Sequence, residues 1–244
     1  MRNIKLTIQY DGTRYSGWQS QKNSVAVQDV MEKALSGLLG EKVKLIGASR
    51  TDANVHAAGQ VANFRTGSRL SLLNIKNGLN RRLPKDIVVL RAAMAKEAFH
   101  AQYDAKSKIY RYRVYAGNPV PPFFKDFVAR TSYELDTEIM SEEAKALLGR
   151  HDFISFQGAN SPRKETIRSI KSIRVKKRGK LIEFHIEADG FLYNMARAIV
   201  GTLIDIGRGH MQRGSVKEIL AKRERRFAGA TAPAKGLCLM KVGY

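Results

Sequence analysis

The chain has 244 residues, of which 43 are lysine or arginine and 22 are aspartate or glutamate, for a formal net charge of +21 at pH 7. That length buries a substantial core as one large domain or two smaller ones, and the charge is the footprint of a protein that meets a polyanion, nucleic acid first among them. A membrane-surface protein would show the same charge, but with no apolar run of spanning length, no strong basic amphipathic anchor and no secretory core in the opening strand-like segment, no membrane partner is expected and a cytoplasmic location is. A single cysteine, Cys238, rules out an intramolecular disulfide and reads as a buried small hydrophobe. Scattered histidines signal no metal, and the missing GxGxxG and Walker loops signal no cofactor.

In chain order, Met1 to Tyr10 alternates apolar and polar residues as a half-buried strand does, and Tyr10-Asp11-Gly12-Thr13 reads as a turn. Apolar residues at Val27, Val30, Met31, Ala34, Leu35 and Leu38 predict a helix over Val27 to Leu39. Strands are predicted at Val43 to Gly47 and Gln60 to Arg65, with Ser49-Arg50-Thr51-Asp52-Ala53-Asn54-Val55-His56-Ala57 as the loop between them. A helix from Leu72 to Leu83 stops at Pro84, and Ile87 to Leu90 follows as a short buried strand.

A comparable set then recurs. Lys108 to Tyr115 reads as a strand, Thr137 to Leu148 as a helix, and Ile167 to Val175 and Leu181 to Ala188 as strands joined through Arg178-Gly179. A helix over Phe191 to Ile206 is expected to bury a stripe of Phe191, Met195, Ala198, Ile199, Thr202, Leu203 and Ile206, with Arg197 pointing away from it among Tyr193, Asn194 and Gly201. Ser215-Val216-Lys217-Glu218 matches a capping box opening a basic helix to about Arg226. The expectation is α+β, with an N-terminal half at 1–104 and a C-terminal half at 105–244.

The loop from Ser49 to Ala57 packs one carboxylate, Asp52, among an arginine, a threonine and a histidine, which makes it a candidate reaction centre; an ordinary Arg50–Asp52 surface ion pair is the bland alternative. An aspartate serves as nucleophile or base when a partner keeps it ionised and oriented, and Arg50 and Arg197 are the candidates. Along Lys108 to Tyr115 the two-residue period sets Tyr110, Tyr112 and Val114 on one face and Arg111 and Arg113 on the other. Rings suit an unstacked base and arginines suit phosphates, while core tyrosines under a solvated basic face are the plainer account. The runs Arg174 to Lys180 and Lys222 to Arg226 are basic enough to follow a phosphate backbone.

These residues resemble the TruA family of tRNA pseudouridine synthases over essentially the whole chain. The likeness rests on Tyr10-Asp11-Gly12-Thr13 with Gly17-Trp18-Gln19, Arg50-Thr51-Asp52 with Val55-His56-Ala57, Phe99-His100-Ala101, and Lys108 with Tyr110-Arg111-Tyr112. It continues through His151-Asp152-Phe153 with Ser155-Phe156, Asp189 to Met195 with Arg197, and Ala232-Pro233-Ala234 with Gly236-Leu237. The resemblance implies a pseudouridine synthase fold: two related α+β halves, each an antiparallel sheet with helices, meeting at a central basic cleft.

It further implies an isomerase, without metal or cofactor, that converts uridine to pseudouridine at positions 38–40 of the tRNA anticodon stem-loop, and a homodimer. By the same resemblance Asp52 is the nucleophile, Tyr110 the ring that stacks on the base, Arg197 the arginine paired with the catalytic carboxylate, Arg50 a residue that holds the displaced nucleotide, and Leu237 a wall of the pocket. Base flipping would bring the uridine to this site. The chain departs from the family at Ser49 and Asn54, where glycine is usual, and at Gln102, where arginine is usual. Asn54 is expected to keep a left-handed turn, whereas Ser49 and Gln102 bear on rate and substrate range. An RNA-binding protein of the same fold with little or no turnover is the alternative, and a DNA-binding protein rests on charge alone.

Overall fold

The computed structural model describes residues 1–159, 161 and 165–244. It shows a mixed α+β chain divided into two compact units, Met1–Lys106 with Leu239–Tyr244, and Ser107–Cys238.

In the first unit, β1(Arg2–Tyr10) leads to α1(Val27–Leu39), whose bounds are those the periodicity predicts. Asp29 accepts the backbone N–H of Ala26 at 3.2 Å to start the helix, and Gly40, left-handed at φ 68°, ends it. The predicted strand at Val43 to Gly47 shrinks to β2(Ile46–Gly47). Side chains of α1 take the groups a longer ladder would use: Ser36 accepts from Val43 N at 3.2 Å, Glu32 from Leu45 N at 2.8 Å, and Gln28 donates to Leu45 O at 3.0 Å. Val43 and Leu45 stay buried all the same.

The chain continues through β3(His56–Thr66), α2(Leu72–Arg82) and β4(Ile87–Met94). Strand β1 lies between β4 and β3 and is antiparallel to both, with Leu6 opposite Ala62 on one side and Ala92 on the other. Ile4, Leu6 and Ile8 on one face of β1 are wholly buried. Each such side chain contributes roughly 1.5–3 kcal/mol of burial, enough to fix the register, since a slip of one residue would expose them all. Helix α2 begins where Ser71 Oγ accepts from Asn74 N at 3.1 Å. The last strand, β10(Leu237–Gly243), runs beside β3, and from Leu239 onward its residues pack with this unit. Lys106 N donates to Gly243 O at 2.8 Å and the Tyr244 hydroxyl to Ala101 O at 2.8 Å.

The second unit contains β5(Ser107–Ala116), β6(Ala129–Thr131), α3(Thr137–Lys145), β7(Gly149–Asp152), β8(Ile167–Arg178), β9(Leu181–Ala188), α4(Met195–Gly207) and α5(Ser215–Lys222). Its strands follow the order β6-β5-β9-β8-β7, antiparallel except that β6 runs parallel to β5. Tyr110, Tyr112 and Val114 are buried on one face of β5, as the alternation predicts. Helix α3 stops three residues earlier than expected, before Gly149, whose φ of 89° opens β7.

Two helices differ from the sequence reading. Helix α4 starts at Met195, not Phe191, because Asn194 is left-handed at φ 60° and no helix continues through it. It is also buried nearly all round instead of along one stripe. The second covering layer is the segment around Ala230: a Cβ on Gly201 would sit 1.7 Å from Ala230 O, so only glycine admits that approach. Helix α5 has no capping box. Its first amides are taken by Glu143 of α3, whose carboxylate accepts from Gly214 N at 2.7 Å and Val216 N at 3.2 Å, while Ser215 donates instead to Gln212 O. The helix ends at Lys222 before left-handed Arg223, so the α-helix does not run on to Arg226, and the basic run beyond it holds only the 3-10 turn Arg225–Phe227. Cys238 is half-buried, because the two-residue period of β10 sets it on the face opposite Leu237 and Leu239.

Candidate active site

The first unit holds Asp52 on a loop fixed from several directions. Trp18 N donates to Thr51 O at 3.0 Å, Asn54 N to Tyr15 O at 3.3 Å, and Val55 N to Asp52 O at 3.1 Å. The Thr51 and Tyr10 hydroxyls are 2.7 Å apart in a buried hydrogen bond. Upstream, the fully buried Gln60 accepts from Ser49 N at 3.2 Å and donates to Ser49 O at 2.7 Å. Gly17, at φ 99°, lies so close under the loop that a Cβ would stand 2.4 Å from Thr51 O.

Asn54 has φ 62°, the left-handed backbone expected of it. Asp52 itself is part-exposed and Arg50 is exposed. Arg50 makes no ion pair among the described residues, so the surface pair with Asp52 is not formed. His56 is buried at the start of β3, where its Nδ1 accepts from Gly12 N at 3.1 Å and lies 3.1 Å from Asp11 Oδ1. It ties the Tyr10–Thr13 turn to the loop.

The second unit holds Tyr110, Arg197 and Leu237. The Tyr110 ring is buried and meets Phe191 edge-on, centroids 4.9 Å apart. Arg197, on the first turn of α4, donates through Nε to Ala232 O at 2.8 Å and through Nη1 to Asn194 Oδ1 at 2.8 Å. Ala232 N returns a bond to Arg197 O at 3.2 Å. The Tyr112 hydroxyl donates to Pro233 O at 2.7 Å. Burial pushes its phenol well above the ordinary tyrosine range, opposed by the nearby charge of Arg197, so it stays protonated. Leu237 is buried directly after Gly236, which packs on the Tyr112 ring.

On the other face of β5, Arg113 Nε donates to Glu183 at 2.8 Å and Arg111 lies 4.0 Å from the same carboxylate. Burial pushes Glu183 up, but the hydrogen bond and charge of Arg113, with Arg111 and His185, outweigh it and leave the carboxyl below its ordinary value. Arg111 is lowered, by burial first and by Arg113 second.

Several motif blocks turn out to hold the scaffold. Asn63 accepts from Ala101 N at 2.8 Å and Asn3 donates to Phe99 O at 2.9 Å, pinning Phe99-His100-Ala101. Asp152 accepts from Thr166 at 2.6 Å and pairs with Arg223, and Ser155 donates to Ile219 O at 2.7 Å, which secures α5. Sequence reasoning missed Tyr10, Gln60, Asn194 and Ala232 as partners of the candidate residues. Their presence inside or beside the same short motifs was the only signal available. No group of three or more His, Cys, Asp or Glu able to hold a metal occurs among the described residues. No helix among them is long and apolar enough to cross a membrane.

The chain belongs to the tRNA pseudouridine synthase family, a family of isomerases, whose signature matches residues 6–104 and 144–244. Among relatives, tRNA pseudouridine synthase A of Acetivibrio thermocellus is 47% identical over 244 residues, covering 100% of both chains. The protein of the same name from Pelobacter propionicus is also 47% identical, and that from Thermoanaerobacter sp. 44%, each again over 100% of both chains. Among solved structures, a chain of a Cbf5-Nop10-Gar1 complex overlays with TM-score 0.36 at 11% identity, over 97% of this chain and 57% of that one, an overlap too loose to add to the strand pattern.

Proposed function

We propose that this chain isomerises uridine to pseudouridine at positions 38–40 in the anticodon arm of tRNA, with Asp52 as the nucleophile. The uracil N1–C1′ bond breaks, the base turns while held, a C5–C1′ bond forms, the C5 proton leaves, and N1 takes up a proton. In this reading Asp52 acts on the nucleotide at its anomeric carbon or its base, as a carboxylate does at a sugar carbon in retaining glycosidases. Arg197 keeps a carboxylate ionised, Tyr110 stacks on the flipped base, Leu237 excludes water beside it, and Arg50 holds the displaced nucleotide. The N-terminal half thus brings the nucleophile and the C-terminal half the stacking ring and the arginine. The cytoplasm is the proposed compartment and a homodimer the proposed assembly, the latter checked by sedimentation.

The observation that supports the reading most is the fixing of the Arg50-Thr51-Asp52 loop. Backbone bonds from Trp18 and Asn54, the Tyr10 hydroxyl and the Gln60 amide all hold it, which is the preorganisation a catalytic carboxylate needs and a surface ion pair does not. The test is Asp52→Asn, assayed by tritium release from C5-labelled uridine in tRNA and by tRNA binding at fixed salt. Loss of turnover with binding kept is expected. Turnover equal to the parent's would refute the role of Asp52, and a parent that binds tRNA without releasing tritium would leave RNA binding as the function.

A further inference from the structure

Asn194 occupies the N-cap of α4, where an asparagine side chain ordinarily accepts an amide hydrogen from the second or third helical residue. It makes no such bond. Its Oδ1 instead accepts from Nη1 of Arg197 at 2.8 Å, while Ala232 O accepts from Nε of the same guanidinium at 2.8 Å. Acceptors on two different nitrogens of a planar group fix both its plane and its rotation.

The backbone of Asn194 serves the same end. At φ 60° and ψ 1° it is left-handed, which points the side chain along the first turn toward Arg197, three residues on. Gly158 backs the amide closely: a Cβ there would lie 2.8 Å from Asn194 Nδ2. Gly158 N also donates to Tyr193 O at 2.8 Å. The asparagine is therefore held on both sides, and its one oxygen is spent on the arginine.

We infer that Asn194 is a positioning residue for the isomerisation: it forgoes capping α4 in order to hold the Arg197 guanidinium in one orientation before substrate arrives. This rests on the role proposed above for Arg197. A preset cation stabilises charge without reorganising as the reaction proceeds, so its loss should appear in kcat and leave KM for tRNA nearly unchanged.

The decisive variant is Asn194→Gly, because glycine takes a left-handed backbone without strain and the fold is kept while the acceptor is lost. Its thermal midpoint should stay within a few degrees of the parent's, with kcat down by roughly tenfold or more. Asn194→Asp, which retains an acceptor in the same place, should recover most of that rate. In an Arg197→Ala background, Asn194→Gly should cause no additional loss, since there is no guanidinium left to place.

Parental kcat in Asn194→Gly, or losses that multiply in the double variant, would overturn the inference while leaving Arg197 in its role. Parental turnover by Arg197→Ala alone would overturn the role of Arg197 and the inference with it, so the two failures are told apart by that single variant.

Discussion

The phenol of Tyr10, at the end of β1, and the hydroxyl of Thr51, next to Asp52, share a buried hydrogen bond of 2.7 Å. A core strand is thereby tied directly to the residue preceding the candidate nucleophile. Tyr10→Phe keeps the ring in place and removes the bond. Expected is a loss of about 1 kcal/mol in urea unfolding, seen as a lower midpoint at constant slope, together with a reduced kcat. A midpoint shift with kcat unchanged would mean that Thr51 needs no partner to hold Asp52.

Gly17 carries two demands at once, a φ of 99° and a Cβ position 2.4 Å from Thr51 O. Gly17→Ala should therefore cost about 3 kcal/mol or more, through backbone strain and displacement of the loop together. Thermal unfolding measures the stability loss, and turnover by whatever folded fraction remains should be well below the parent's.

Asp86 accepts from Arg14 and from the Tyr15 hydroxyl, at 2.5 Å and 2.7 Å. Burial pushes its carboxyl up, but these bonds and the charge of Arg14 outweigh that and set it below the ordinary 3.8. A carboxyl lowered by folding stabilises above its unfolded value and loses that contribution as pH falls through the folded one. Asp86→Asn should thus be less stable than the parent near neutrality, by only about 1 kcal/mol because Arg14 is largely in solvent. The gap should close as pH drops through the range below 3.8. Urea titrations across that range check it, and a gap that widened in acid would contradict the assignment.

Glu143 stands in for the missing side-chain cap of α5, accepting two backbone amides at 2.7 Å and 3.2 Å. Glu143→Gln retains one acceptor oxygen and should cost about 1 kcal/mol, whereas Glu143→Ala should cost about 2 kcal/mol. Hydrogen exchange should quicken in Ser215–Lys222 before it quickens in β9.

Much of the fold was legible because it depends on periodicity. Helix α1 has its predicted bounds, and the Tyr110, Tyr112, Val114 face of β5 follows from alternation alone. What was not legible depends on partners distant in sequence. The burial of α4 on its second side comes from the segment around Ala230 closing on Gly201. The start of α5 is set by Glu143 on another helix, and β2 is cut short by side chains of α1. The candidate site was legible as short motifs in order, but the sequence did not say which of their residues carry chemistry and which carry load. His56 and Asp152 show the point, since both stand in marked blocks and both are engaged in holding turns together.

The placement of β10 has a consequence for the order of events during translation. The residues that complete the first unit beside β3 are Leu239–Tyr244, and they leave the ribosome only after all of Ser107–Cys238. Through most of synthesis the nascent N-terminal sheet carries an open stretch of edge, the kind of surface that invites pairing with other chains. Protection of that edge by a chaperone during synthesis should raise the yield of native protein.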